Sequence, residues 1–266
     1  IKQIPVVLGE ADIIKSLILL PGVTSAGEGA SGFNVRGGAA DQNLVLLDEA
    51  VVYNSGHLLG FFSVFNADAI KNVTLTKGGF PARYGGRASS VIDVFGKEGN
   101  QEEIKGKFNI GILNSGALLQ GPINDRIRFI VGARTSYYNL LSSLDNPDPS
   151  LDESFKYSIY DINGKLTWQP NQNHKVSLSV FSGGDKQTYF YNEPSNGVNL
   201  TENSGLKIKT TGVSLLHRGS LTKKLSIENL VAYSDYQNGL YLNTTNEIDN
   251  LSTSENINSI SDIEDL

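Results

Sequence analysis

The sequence predicts a small α+β domain followed by a run of antiparallel strands, and three observations carry that prediction. Through about residue 96, short apolar runs are broken by glycine turns; after Gly99, apolar and polar residues alternate one by one. The connections between the later strands alternate short and long, as in a meander with tight turns on one side and long loops on the other. No run of about 18 apolar residues occurs, which excludes a membrane-spanning helix but not a strand barrel, whose outer face shows only every second residue. The division falls at residues 1–96 and 102–266.

The N-terminal elements follow from local chemistry. Residues 10–20 place Ile13, Ile14, Leu17, Ile18 and Leu20 at helical spacing, with Glu10 and Asp12 in the first turn and Pro21-Gly22 as the stop. Residues 33–36, 44–47, 73–75 and 91–95 read as short strands between glycine turns, and Asn66 is placed to start a helical turn over residues 66–70.

In the later part, Tyr160, Ile162, Leu166 and Trp168 are apolar against polar Asp161, Asn163, Lys165 and Thr167, and Val176, Leu178 and Val180 alternate with Lys175, Ser177 and Ser179. Ile127, Phe129, Val131 and Ala133 stand in the same relation to Arg126, Arg128 and Arg134, as do Leu225, Ile227, Val231 and Tyr233 to Ser226, Glu228 and Ser234. Each strand therefore has one oily and one wet face. Links at 123–126, 169–173 and 219–224 are short, whereas those at 140–156, 184–205 and 240–255 are long and rich in Asn, Ser, Asp and Pro. With a tight hairpin near Asn114-Ser115, the reading is seven strands and the start of an eighth. Tyr137, Tyr138, Tyr157, Tyr160 and Trp168 lie near strand ends, as membrane-interface girdle aromatics do, although aromatics favour strands in any setting. A soluble β-sandwich alternates in the same way, so at this point both architectures stand open.

Composition removes several classes of function. The net charge of −6, with signs interspersed, argues against nucleic-acid binding through a basic face, and the absence of cysteine removes disulfides and thiolate metal sites. His57, His174 and His217 show no metal-ligand spacing, and no catalytic set can be assembled, so no catalytic residue, metal or cofactor is assigned. Gly27 to Gly32 superficially resembles a phosphate loop but lacks the Gly-Lys-Ser/Thr and the helix that such a loop needs. The acidic segment from Asp145 to Glu153 offers oxygen ligands without EF-hand spacing and reads as a solvated loop. The chain lacks an initiator Met and a signal peptide, and stops without a turn signal, so it is expected to be an internal fragment of a longer protein.

The most specific wording lies between Ser31 and Val91. Val35-Arg36-Gly37-Gly38 is followed by Leu44-Val45-Leu46-Leu47-Asp48-Glu49 and then by Lys77-Gly78-Gly79-Phe80-Pro81-Ala82-Arg83-Tyr84-Gly85-Gly86-Arg87. In this order and spacing, roughly residues 3–96 resemble the plug domain of a TonB-dependent outer-membrane receptor. The resemblance implies an α+β plug domain followed by antiparallel transmembrane β-barrel strands of an incomplete large barrel, in the outer membrane of a Gram-negative bacterium. It further implies import of a scarce nutrient of the siderophore, cobalamin, glycan or peptide class. TonB, with ExbB and ExbD, would act through an N-terminal segment absent here. The runs from Leu46 to Asn54 and from Phe80 to Arg87 resemble receptors of Bacteroidota, while departing from the starch-utilisation subgroup, which puts a lid lipoprotein partner in doubt. A soluble β-rich adhesion or carbohydrate-binding module is the rival reading.

The resemblance also assigns roles. Arg36, Arg83 and Arg87, with Asp48 and Glu49, are expected at the contact between plug and barrel, where guanidinium–carboxylate pairs offset desolvation. For Arg36 the alternative is a partner inside the plug, Asp48 or Glu49. Asp48 and Glu49, adjacent on a strand, would point to opposite faces and serve a turn and ion-pair role rather than catalysis. Gly37, Gly38, Gly78, Gly79, Gly85 and Gly86 are expected to hold turns. The loop from Tyr53 to Phe61 is expected to reach the outer vestibule, with Tyr53, Asn54 and His57 as candidate ligand contacts and a solvated histidine as the bland alternative.

Overall fold

The computed structural model of the chain describes residues 6–7, 10–27, 32–57, 60, 62–111, 113–139, 152–195, 198–248 and 251–265. The N-terminal part opens with a short pair, β1 (Val6–Val7) and β2 (Glu10–Ala11), and one helix, α1 (Ile13–Ile18). The helix is shorter than residues 10–20. It starts at Asp12, whose carboxylate accepts from the Lys15 amide at 2.9 Å, while residues 10 and 11 are taken into the β pair. Then come β3 (Val23–Ser25), β4 (Phe33–Val35), β5 (Asn43–Leu47), β6 (Ala50–Val51), β7 (Gly56–His57), β8 (Phe62–Ser63), β9 (Ile70–Thr76) and β10 (Ser90–Gly96). The central sheet has the order β6-β5-β10-β9, with β10 parallel to β5 and antiparallel to β9. Residues 67–69 form a turn rather than a helical segment, with the Asn66 carboxamide accepting from the Asp68 amide at 3.0 Å.

The core of this part is built from the faces its sequence alternation turns inward. Val45, Ile92 and Val94 from the sheet meet Ile13, Ile14 and Leu17 of α1 and the buried rings of Phe33 and Phe65. Phe181, from the second sheet, completes the same cluster, so the two parts share one apolar core.

The second sheet is a single meander of eight antiparallel strands: β11 (Lys105–Ile110), β12 (Asn114–Asn124), β13 (Ile127–Ser136), β14 (Asp152–Asn171), β15 (His174–Ser195), β16 (Val198–Thr222), β17 (Leu225–Ile248) and β18 (Leu251–Asp265). Its inner face wraps the N-terminal part. On that face Arg134, Asp161, Thr167, Thr210 and Ser214 are buried, while Ile162, Leu166, Leu178, Val180, Leu215 and Val231 on the outer face are exposed. This is the inverse of a soluble sandwich, whose apolar faces meet and whose outer faces are wet. Beneath a polar lumen the exposed apolar rows instead match the lipid-facing band of a barrel wall.

The structure corrects three readings. Residues 184–205 and 240–255 are not loops: the ladder continues through them, pairing Glu193 with Leu200 and Ile248 with Leu251. Alternation fades there because neither face meets a core, so the polar Asn, Ser and Thr that read as loop chemistry sit on long hairpins. Tyr157 is a buried lumen residue at 4 % exposure rather than a girdle aromatic, whereas Tyr160 and Trp168 stand on the outer face. Of the acidic segment from Asp145 to Glu153 only Asp152 and Glu153 are described, and they open β14 rather than lie in a loop; residues 140–151 lie outside the described residues.

Candidate functional site

The chemistry of this chain concentrates where the inner sheet meets the wall. Asp48 and Glu49 are not strand residues but the two central residues of the hairpin joining β5 to β6, in which Leu47 pairs with Ala50. Both are left-handed, with φ of 48° and 75°, as a two-residue hairpin of the primed type requires. Neither is glycine, so the turn is strained locally and is held by what it touches. The Asp48 carbonyl accepts from the Ser214 hydroxyl at 2.6 Å, and its carboxylate accepts from the Lys165 ammonium at 2.6 Å and from the Gly96 amide at 3.1 Å. Glu49 accepts two bonds from Arg83, at 3.0 and 2.9 Å, and lies 3.4 Å from Arg218 of the wall. Arg218 in turn donates to Glu228 at 2.6 Å.

A second cluster lies around His57. The imidazole is 1 % exposed, with Nε2 2.6 Å from Asp161 and Nδ1 2.7 Å from Asp185, both on the wall. Asp161 also accepts from Arg134, whose Nε stands at 2.8 Å, and Arg134 donates to the Ser63 carbonyl at 2.6 Å. Tyr157 donates to the other oxygen of Asp185. The cluster thus ties β7 and β8 to three wall strands through two carboxylates and two cations. Burial by itself would lower the His57 pKa. The charge of Asp161 and the hydrogen bonds to Asp161 and Asp185 outweigh it and raise the pKa from 6.5 to about 9. The imidazole is therefore charged at neutral pH, with both nitrogens donating.

A third cluster closes the connection between the two parts. Glu98 is held by Lys175 at 2.7 Å and by Arg128. Burial would raise its pKa, but the hydrogen bonds and charges of Lys175 and Arg128 dominate and hold it at about 2. A cavity of about 260 Å³ lies between this cluster and the Asp48 turn, lined by Asp48, Glu49, Glu98, Lys165, Lys175 and Arg218.

The remaining expected residues fall as follows. Arg36 and Gly37 form a tight turn with φ of 49° and 82°, closed by the Gly38 amide donating to the Val35 carbonyl at 2.9 Å. A Cβ on Gly38 would lie 2.3 Å from the Ser89 hydroxyl, so glycine is required there for close approach. The expected partners of Arg36 are corrected: its side chain is exposed, and among the described residues it makes no ion pair with the wall or with Asp48 or Glu49. Gly78, Gly79 and Gly86 have positive φ, whereas Gly85 does not. Arg87 lies 5.9 Å from the centre of the Tyr53 ring and, among the described residues, pairs with no acid. His57 is likewise corrected as a ligand contact, since both its nitrogens are occupied by wall carboxylates. Asn54 is buried, its carboxamide oxygen accepting from the Gly56 amide at 3.4 Å. Tyr53 packs 5.7 Å from the Tyr236 ring and donates to Asp265. Leu58, Leu59 and Phe61 lie outside the described residues. Sequence reasoning assigns no site role to Arg134, Tyr157 or Asp185; for the two charged residues the usable signal is charge recurring at the inward position of strand after strand.

Residues 6–92 match the family of TonB-dependent receptor plug domains. That match covers about a third of the chain. The plug and the partial barrel wall around it are similar in fold to the siderophore receptor PirA of Acinetobacter baumannii, at 17% identity and a TM-score of 0.50 over 92% of this chain and 44% of that one. PirA of Pseudomonas aeruginosa matches at 14% identity and a TM-score of 0.49, over 98% and 56% of the two chains. A mutant of the ferric enterobactin receptor PfeA of Pseudomonas aeruginosa matches at 14% identity and 0.47, over 94% and 47%. The chain spans about half the length of these solved structures. No curated protein matches it. At 17% identity the likeness to PirA of Acinetobacter baumannii establishes the fold alone.

Proposed function

We propose that this chain is the plug, residues 1–96, and the first wall strands, residues 102–266, of an outer-membrane receptor that imports a scarce nutrient when TonB remodels the plug. The observation that carries the reading is a plug joined to an apolar-backed wall by buried ion pairs. A structural plug needs no charge at its seam, because apolar packing holds as well without the desolvation cost. Ion pairs are directional contacts that hold one arrangement and exchange partners or water when the plug is pulled, so His57, Asp48, Glu49 and Arg83 are assigned the latch. Tyr53 remains the plug residue assigned to ligand.

The nutrient belongs to the siderophore, cobalamin, glycan or peptide class, and the run from Leu46 to Asn54 supports a receptor of the Bacteroidota type. The siderophore receptor PirA of Acinetobacter baumannii makes a ferric siderophore the first probe to try. The reading is of a transporter, not an enzyme, with TonB, ExbB and ExbD as partners. The intact receptor, expressed in a strain lacking its own ferric-siderophore receptors, should fractionate with the outer membrane. It should also support uptake of a radiolabelled member of one class only while TonB is present. Recovery in the soluble fraction, or uptake indifferent to loss of TonB, would sink it.

A further inference from the structure

The outer face of the wall can be read row by row from the strand register. Leu166, Leu178, Leu215 and Val231 form one apolar row, and Val180, Val213 and Tyr233 lie in the next. Towards the long hairpins follow Ile162, Ser182 and Thr211, and then Tyr160, Gly184 and Lys209, where the apolar band ends. The next row sets Ser158, Lys186 and Lys207 side by side, and the one beyond it sets Lys156 beside Thr188. Lys186 and Lys207 are thus directly opposite one another on adjacent antiparallel strands. Lys209 lies one row below them and Lys156 one row above.

Like charges directly opposite in an antiparallel pair destabilise the sheet. Among the described residues no ion pair offsets this repulsion. Among the described residues none of the four lysines has an ion-pair partner, and Asp235, diagonal to Lys209 and facing outward, makes no ion pair with it. The acids Glu153, Asp161, Asp185 and Glu202 of the same three strands all occupy inward positions, and Asp152 stands two rows beyond Lys156. Each row adds two residues, or about 5 Å of height in a tilted strand, so the four lysines span about 10 Å immediately above the apolar band. That is the depth at which lipid headgroups lie, and a cationic cluster there attracts anionic ones.

Resting on the reading of the sheet as an outer-membrane wall, we propose that Lys156, Lys186, Lys207 and Lys209 dock the phosphate of a glycolipid in the leaflet on the long-hairpin side. The phosphate supplies the negative charge that the Lys186–Lys207 pair lacks, while the acyl chains lie against Ile162, Val180 and Val213. The site is a lipid contact and takes no part in nutrient binding.

The test uses the intact receptor in phosphatidylcholine nanodiscs doped with monophosphoryl lipid A, with the same lipid after dephosphorylation, or supplied with inorganic phosphate alone. Monophosphoryl lipid A should bind and raise the unfolding temperature, and the K186Q/K207Q variant should lose about tenfold in affinity, the equivalent of one charge-assisted contact. Lys186→Glu should pair with Lys207, keep the fold and also lose the lipid, which separates a binding defect from a folding one. In phosphate-free discs K186Q/K207Q should melt no lower than the wild type, because a repulsion has been removed. Equal binding by wild type and variants overturns the site. So does equal stabilisation by the dephosphorylated lipid or by inorganic phosphate. Nutrient uptake by the same variants should be unchanged; a receptor that fails to reach the outer membrane counts against the transporter reading instead.

Discussion

The His57 cluster sets the energetic scale of the proposed latch. Removing one partner of a buried ion pair costs about 3 to 5 kcal/mol, because the partner left behind is buried and unpaired. His57→Gln should therefore loosen the plug in the intact receptor, raising passive uptake of a bulky antibiotic and lowering the denaturant midpoint; unchanged values would remove His57 from the latch. The pH dependence has a definite sign. With the pKa raised from 6.5 to about 9, the stability that His57 contributes is fully present below pH 6.5 and is lost as pH rises through 9. Unfolding measured across that window should show a fall of on the order of 3 kcal/mol in the wild type and a nearly flat profile in H57Q. A wild type as flat as the variant would show that the imidazole is not held charged. Alternation in the sequence placed Asp161 on the lumen side, but it gave no means of finding its partner. His57 lies 104 residues from Asp161 and 128 from Asp185, and a lone loop histidine carries no local mark of burial.

At the scale of elements, the wall strands carry two chemistries along one face. Val180, on β15 within the apolar band, is 42% exposed on the outer side. Val180→Arg should cost about 2 to 4 kcal/mol when folding into lipid vesicles is titrated with urea, against about 0 to 1 for Thr188→Arg above the band. Equal costs would contradict the assignment of the band to lipid. The lumen side is no tolerant control, because Ser177 and Ser179 are buried against the plug. Gly99, in the connection to the wall, has φ of 91°, and a Cβ there would sit 2.3 Å from the Phe129 carbonyl oxygen. Gly99→Ala should thus lower the unfolding free energy by about 1 to 3 kcal/mol of strain, and a neutral result would mean that the connection shifts freely. The alternating core of each strand was legible because one face meets plug and the other is apolar. The hairpin extensions were not, since past the plug both faces are polar and Asn, Ser and Pro then resemble loop chemistry. Asp48 and Glu49 have the turn and ion-pair role expected of them but not the strand placement: an apolar run closed by acids reads as a strand end, and only the pairing of Leu47 with Ala50 reveals the two-residue hairpin.

For the molecule as a whole, burial falls away from the middle of the sheet. Residues of β14 to β16 back onto the plug, with Asp161, Thr167, Phe181 and Ser214 nearly inaccessible, whereas the described side chains of β18 are exposed along both faces. Among the described residues β11 and β18 each pair on one side only, so a polypeptide of residues 1–266 presents two rows of unpaired amides and carbonyls. An exposed edge of this length templates pairing with another chain, and in lipid each unsatisfied backbone group costs several kcal/mol. Expressed by itself, this polypeptide should therefore associate in detergent, as read by light scattering on a sizing column. Amide exchange should be slow in β14 to β16 and fast in β18, because local opening follows the density of buried contacts. The plug should hold its protection regardless, since its core is closed by its own helix and sheet apart from Phe181. A monodisperse monomer whose β18 amides exchange as slowly as those of β15 would mean that the sheet closes on itself, and the assignment of β11 and β18 as open edges would be wrong.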